Sequence, residues 1–125
     1  MIDIHQSNAQ EFTKALLERL GSNLHAVVLY GSVARGAARS ESDVDLLVVI
    51  DRPSTVDIVG DVAYQIDFAA QFNTFLTPVE FSLEQLRKCI DNGDPFLERV
   101  FEEGKVLYDD GSLKKLLDRV AASRP

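Results

Sequence analysis

The stretch Gly31-Ser-Val-Ala-Arg35-Gly36-Ala-Ala-Arg39-Ser-Glu-Ser-Asp43-Val-Asp45 decides how the rest of the chain is read. It follows the short apolar run His25–Tyr30, rich in branched residues, which stops abruptly at Gly31-Ser32 as a buried strand does when it feeds a tight turn. It leads into Asp43–Ile50, whose first half alternates acidic and apolar residues and whose second half is continuously apolar, the pattern of a second strand. Side chains two apart on a strand share a face, so Asp43 and Asp45 point the same way with Cα atoms about 6.5–7 Å apart. Like charges held that close cost energy, and a divalent cation between them removes the cost. Hard oxygen ligands favour magnesium or manganese over zinc. A bare Asp-x-Asp is as readily a solvated strand end; the Gly-Ser turn beside it tips the balance. Glycine admits strained dihedrals and close backbone approach, and the amides that open the following helical turn face an incoming anion. Ser32 adds a hydroxyl, and Arg35 and Arg39 add local positive charge to an acidic chain. The combination reads as a nucleotide held through its phosphates by turn and metal.

Working outward, residues 9–20 place Phe12, Leu16, Leu17 and Leu20 at helical spacing before Gly21, predicting a first amphipathic helix. A second runs from Thr55 to about Phe72, with Ile58, Val62, Ile66 and Ala69 on one face. Phe75–Phe81 reads as a third strand, which Pro78 confines to a sheet edge or a bulge. Helices follow after the cap Ser82 and over Pro95–Glu103, then a short strand at Val106–Tyr108 and a last helix from Ser112 to about Ala122. The expectation is an α/β (α+β) fold: one domain over residues 1–125, a small mixed sheet with helices packed on it and a helical portion from about residue 83. Phe96 and Phe101 are read as core residues of that portion rather than as a partner surface.

The chain of 125 residues is 46% hydrophobic and 26% charged, which suits a single globular domain and leaves no room for a second substrate-binding one. Thirteen Lys and Arg against twenty Asp and Glu give a net charge of −7, which repels phosphate backbones and argues against nonspecific nucleic-acid binding. The one cysteine, Cys89, excludes an internal disulfide and a cysteine-rich zinc site, and it sits on an apolar helix face as a core residue rather than a nucleophile. No apolar run reaches membrane-spanning length and Met1–Gln6 lacks the plan of a secretory signal, so a soluble, cytoplasmic protein with no membrane association is expected. Other phosphate and catalytic motifs fail. Ala37 and Ala38 stand where a P-loop needs its lysine and hydroxyl, Gly-x-Gly-x-x-Gly and Gly-x-Ser-x-Gly are missing, and His5 and His25 have no ligand spacing.

Gly31-Ser32, ten intervening residues and Asp43-Val-Asp45 resemble the signature of the DNA polymerase β-like nucleotidyltransferase superfamily, with its palm-like fold. The fuller text from Gly31 to Val49 is similar to the minimal nucleotidyltransferases, short proteins often encoded beside a HEPN ribonuclease. The resemblance implies a third carboxylate on the next strand, and Glu80 is the matching position, with Asp67 as competitor. It implies that Asp43, Asp45 and Glu80 hold Mg2+ or Mn2+ and are catalytic, while Gly31, Ser32, Arg35 and Arg39 hold the triphosphate of ATP. It further implies transfer of AMP to a tyrosine of a HEPN toxin partner, with this chain as the antitoxin in a homo- or hetero-oligomer. Two alternatives stay open: a non-catalytic module that masks its partner sterically, and modification of a small molecule as in the aminoglycoside nucleotidyltransferases.

Overall fold

The computed structural model describes residues 3–37, 43–51 and 57–123. The helix α1 (Ile4–Leu20) precedes the strand β1 (Leu24–Tyr30), the single turn α2 (Gly31–Ala34) and β2 (Asp43–Ile50). Then come α3 (Ile58–Ala69), β3 (Phe75–Ser82), α4 (Leu83–Asp91), α5 (Pro95–Glu103), β4 (Lys105–Asp109) and α6 (Ser112–Ser123). The strands form one sheet in the order β3-β2-β1-β4. β1 runs antiparallel to both β2 and β4, whereas β2 and β3 are parallel, so the sheet is mixed as expected.

Strand alternation divides the core in two. Val44, Leu46 and Val48 of β2 join Val27 and Leu29 of β1 on the face covered by α1 and α3, where Phe12, Leu16, Val59 and Val62 are buried. Leu47 and Val49 join Ala26 and Val28 on the other face, under Leu86, Leu97, Val100 and Leu113 of α4, α5 and α6. Both faces of the two central strands are therefore dry, which is why their sequences are continuously apolar rather than alternating. Phe96 and Phe101 are half-buried against this second cluster, in line with a packing role.

Local chemistry sets the element ends. The Asp3 carboxylate caps α1 by accepting from the amides of His5 and Gln6, so the helix begins at Ile4, ahead of the residue-9 start that periodicity alone suggests. Ser82 and Gln85 form a reciprocal capping box on α4, with bonds of 3.0 and 3.1 Å. Pro78 is tolerated because β3 lies at the edge of the sheet. Asp57 caps α3 through the Gly60 amide; Thr55, where the spacing begins this helix, lies outside the described residues. Among the described residues no helix is long and apolar enough to cross a membrane.

Candidate active site

β1 delivers the chain to Gly31 at the end of the sheet, beside the first residues of β2. Tyr30 is the register partner of Asp45. Gly31 has φ +75°, a left-handed conformation that costs other residues about 1–2 kcal/mol. A Cβ there would collide with the Asp45 carboxylate, its Cγ only 3.2 Å away. The glycine at this position is thus required twice, by dihedral and by the space the Asp45 carboxylate takes, and the backbone that opens α2 lies beside Asp45. Ser32 follows in the same turn, half-buried. Asp43 is exposed and Asp45 half-buried on the same strand face, with Leu47 and Val49 continuing that face into the core.

Across the sheet, Thr77 of β3 is the register partner of Asp45. Its hydroxyl lies 3.0 Å from Asp45 Oδ1 and 3.1 Å from the Val44 carbonyl, two acceptors for one proton. Burial raises the Asp45 pKa above its ordinary value; the Thr77 bond and Arg35 oppose the rise and the Asp43 charge adds to it. Burial likewise raises the Tyr30 phenol, and Asp45 adds to the effect.

On the other side of Gly31 lies a hollow of about 190 Å³ lined by Tyr30, Gly31, Arg35, Phe96, Arg99, Val100 and Glu103. Tyr30 and Phe96 meet edge to face at 5.4 Å. Arg35 Nη1 is 2.9 Å from Glu103 Oε2, so the cation picked out in the sequence carries a counter-ion. Arg99 lines the same hollow. Sequence reading missed it because it lies far along the chain from Gly31, on a helix whose apolar face gave it no distinction; only the packing of α5 beside α2 brings it there.

The structure thus brings together Gly31, Ser32, Arg35, Asp43 and Asp45. Arg39 lies outside the described residues. Glu80 is not brought in. It pairs in register with Val48, three positions beyond Thr77, or about 10 Å along the strand, and odd spacing turns it to the opposite face. There Asp57 is its charged neighbour; burial, with Asp57 second, raises its pKa. Asp67 does not replace it. It is buried on the α3 side of the sheet, accepting from Thr74 Oγ1 at 3.0 Å and from the Leu76 amide at 3.1 Å, and burial raises its pKa against those bonds. Among the described residues no group of three carboxylates, histidines or cysteines is assembled. Two carboxylates with a hydroxyl between strands nonetheless suit Mg2+ or Mn2+, which take one or two protein carboxylates and complete their shell with water and substrate phosphate.

The polymerase beta, nucleotidyltransferase family matches residues 11–112. Two proteins of Methanocaldococcus jannaschii, each named as a candidate protein adenylyltransferase, are similar. One is 32% identical over 79% of this chain and 93% of its own length, the other 31% identical over 88% and 76%. Among solved structures, a chain of a toxin-antitoxin crystal structure with AMP-PNP shares the fold with a TM-score of 0.56 at 19% identity, over 90% of this chain and 84% of that one. A chain of a structure of a tri-AMPylated Shewanella oneidensis HEPN toxin in complex with MNT antitoxin gives 0.51 at 17% identity, over 94% and 84%. With the Gly-Ser turn set beside the Asp-x-Asp strand, and the match running through the whole sheet, the chain belongs to the polymerase beta, nucleotidyltransferase family and is a nucleotidyltransferase.

Proposed function

We propose that this chain transfers AMP from ATP, with Mg2+ or Mn2+, to a tyrosine hydroxyl of a HEPN toxin and thereby acts as its antitoxin. The observation that supports the reading is the Asp45 carboxylate filling the space where a Gly31 side chain would stand, so that the Gly-Ser turn lies directly beside the Asp-x-Asp strand. The relatives named as candidate protein adenylyltransferases support the protein acceptor, and the fold shared with chains of toxin-antitoxin structures supports the partner class.

In this reading Asp43 and Asp45 would hold the cation, which when bound would supply charge neutralisation and Lewis-acid help for the triphosphate. Gly31 and Ser32 receive the phosphates at the start of α2. Arg35 exchanges Glu103 for a phosphate oxygen, and Arg99 adds a second guanidinium from α5. The acceptor oxygen bonds to the α-phosphorus, the bond from that phosphorus to the oxygen leading to the β-phosphate breaks, pyrophosphate leaves, and the hydroxyl proton passes to water. Thr77 holds Asp45 in place by its hydrogen bond. The test is mass spectrometry of a neighbour-encoded HEPN protein incubated with this chain, ATP and Mg2+. A mass gain of AMP on a tyrosine, lost with Asp45→Asn, is expected; no gain, or a gain unaffected by Asp45→Asn, contradicts the reading.

One observation favours steric masking without transfer: two carboxylates face the turn rather than three, since Glu80 lies on the opposite face. Under masking, the Asp43→Asn, Asp45→Asn double variant still neutralises the toxin fully; under transfer it does not.

A further inference from the structure

Four large aromatic side chains stand exposed in a continuous row on this acidic protein. Tyr64 and Phe68 of α3 are 58% and 64% exposed, Phe72 in the following turn 43% and Phe75 at the start of β3 48%. Their rings touch in sequence: Tyr64 and Phe68 at 6.2 Å, Tyr64 and Phe72 at 5.9 Å, Phe68 and Phe72 at 6.2 Å, Phe72 and Phe75 at 6.4 Å. A row of this kind has no role in the core, and contiguous exposed apolar surface marks a binding site. The turn that presents it is strained. Gln71 and Phe72 hold φ of 54° and 56°, a conformation that costs a residue with a side chain about 1–2 kcal/mol. Bonds from the Gln71 amide to the Phe68 carbonyl and from the Phe72 amide to the Asp67 carbonyl, 3.0 and 2.8 Å long, keep it so.

The row leads to the site. Phe75 is the register partner of Asp43, as Thr77 is of Asp45, and in parallel pairing the four side chains share one sheet face. The backbones of Phe75 and Asp43 are therefore one strand spacing, about 4.8 Å, apart. β3 is an edge strand, and Val79, 38% exposed, continues the apolar surface along it. A macromolecule that brings a hydroxyl to Asp43 and Asp45 from this side crosses Phe75.

We infer that the aromatic row from Tyr64 to Phe75 is the docking surface for the protein segment that carries the acceptor hydroxyl. The inference rests on the proposed transfer to a protein and adds where that protein sits. Charge selects the occupant. Asp43, Asp57 and Glu80 lie on or beside the elements around the row, with Asp61 paired to Arg19 at 3.8 Å, in a chain of net charge −7, so the segment that fits is apolar at its centre and basic at its flanks. A second copy of this chain would bring the same carboxylates face to face, which disfavours it as the occupant.

The test uses Tyr64→Gln with Phe68→Gln, both on an exposed helix face where glutamine keeps the helix. Calorimetry measures affinity for the neighbour-encoded HEPN protein and, separately, for ATP with Mg2+; sedimentation measures self-association. The expected result is partner affinity weaker by about tenfold or more, as for loss of central interface aromatics, with nucleotide affinity and melting temperature unchanged. Unchanged partner affinity overturns the inference, as does a wild-type homodimer that the substitutions dissociate while partner binding persists. A wild-type chain that binds the HEPN protein through the row yet transfers no AMP defeats the transfer reading and sustains the docking surface. Failure to bind it at all defeats both.

Discussion

Gly31 is the residue at which sequence and chemistry meet most closely. Its φ of +75° and its approach to Asp45 leave no room for a side chain. We predict that Gly31→Ala lowers AMP transfer about hundredfold, because a methyl there shifts the carboxylate by the order of an ångström. Steady-state transfer by the refolded variant checks this. Asp43, Asp45, Gly31 and Ser32 were legible because the chain order of a strand, a tight turn and a second strand forces them together. Glu80 was not, because register and facing of the third strand depend on how β3 docks on β2, which spacing does not reveal: the residue opposite Asp45 is Thr77. Two substitutions separate the positions. Glu80→Gln leaves transfer within about a factor of two, as expected of a residue that shares no partner with the site. Thr77→Asp, which sets a third carboxylate beside Asp45, tightens Mn2+ binding about tenfold, since charge count tunes such sites; calorimetric titration reads the change.

At the scale of elements, the ends that carry their own chemical signal were legible. β2 begins at Asp43 and ends at Ile50, and α5 spans Pro95–Glu103, as the alternation and the proline and glycine flanks indicate. α1 extends to Ile4 because Asp3 caps it, and the polar turns between the two hid that start from a hydrophobic period. Asp67 shows a different limit. It reads as a polar position on an amphipathic helix, yet its carboxylate is the buried clasp between α3 and β3, with Thr74 completing it through the Asn8 amide at 3.0 Å. Asp67→Ala leaves the Leu76 amide and the Thr74 hydroxyl without that acceptor, and a loss of about 1–3 kcal/mol in stability is predicted. Urea unfolding, read as a lower midpoint with an unchanged slope, is the measurement.

For the molecule as a whole, His25 ties together three parts of the chain. Its Nε2 lies 2.6 Å from Asp51 Oδ1 beyond β2, and its Nδ1 lies 2.7 Å from Asp110 Oδ2 beyond β4. Burial opposes its positive charge, but the bonds to Asp51 and Asp110 outweigh it and raise the pKa above the ordinary 6.5. Burial also works against the charge on Asp110, and bonds from Ser112 and His25 overcome it, lowering that pKa from 3.8. A raised histidine stabilises the fold fully below its unfolded value and ceases to do so as pH climbs through the folded one. A depressed carboxylate stabilises above its unfolded value and ceases as pH falls through the folded one. The cluster is therefore strongest between 3.8 and 6.5. The melting temperature is predicted to fall as pH rises above 6.5 through the raised folded value of His25, and His25→Gln to flatten that fall. The mixed sheet with helices was legible from the order of periodicities, whereas the division into two cores and the aromatic row at the sheet edge needed three-dimensional packing to appear. Transfer by this chain requires that Asp43 and Asp45 bind a divalent cation together with a triphosphate. Paramagnetic resonance of Mn2+ with AMP-PNP tests it most directly. Bound manganese that needs both the nucleotide and the two aspartates, and vanishes in the Asp43→Asn, Asp45→Asn variant, is the result predicted; equal binding by the wild type and that variant would contradict the account.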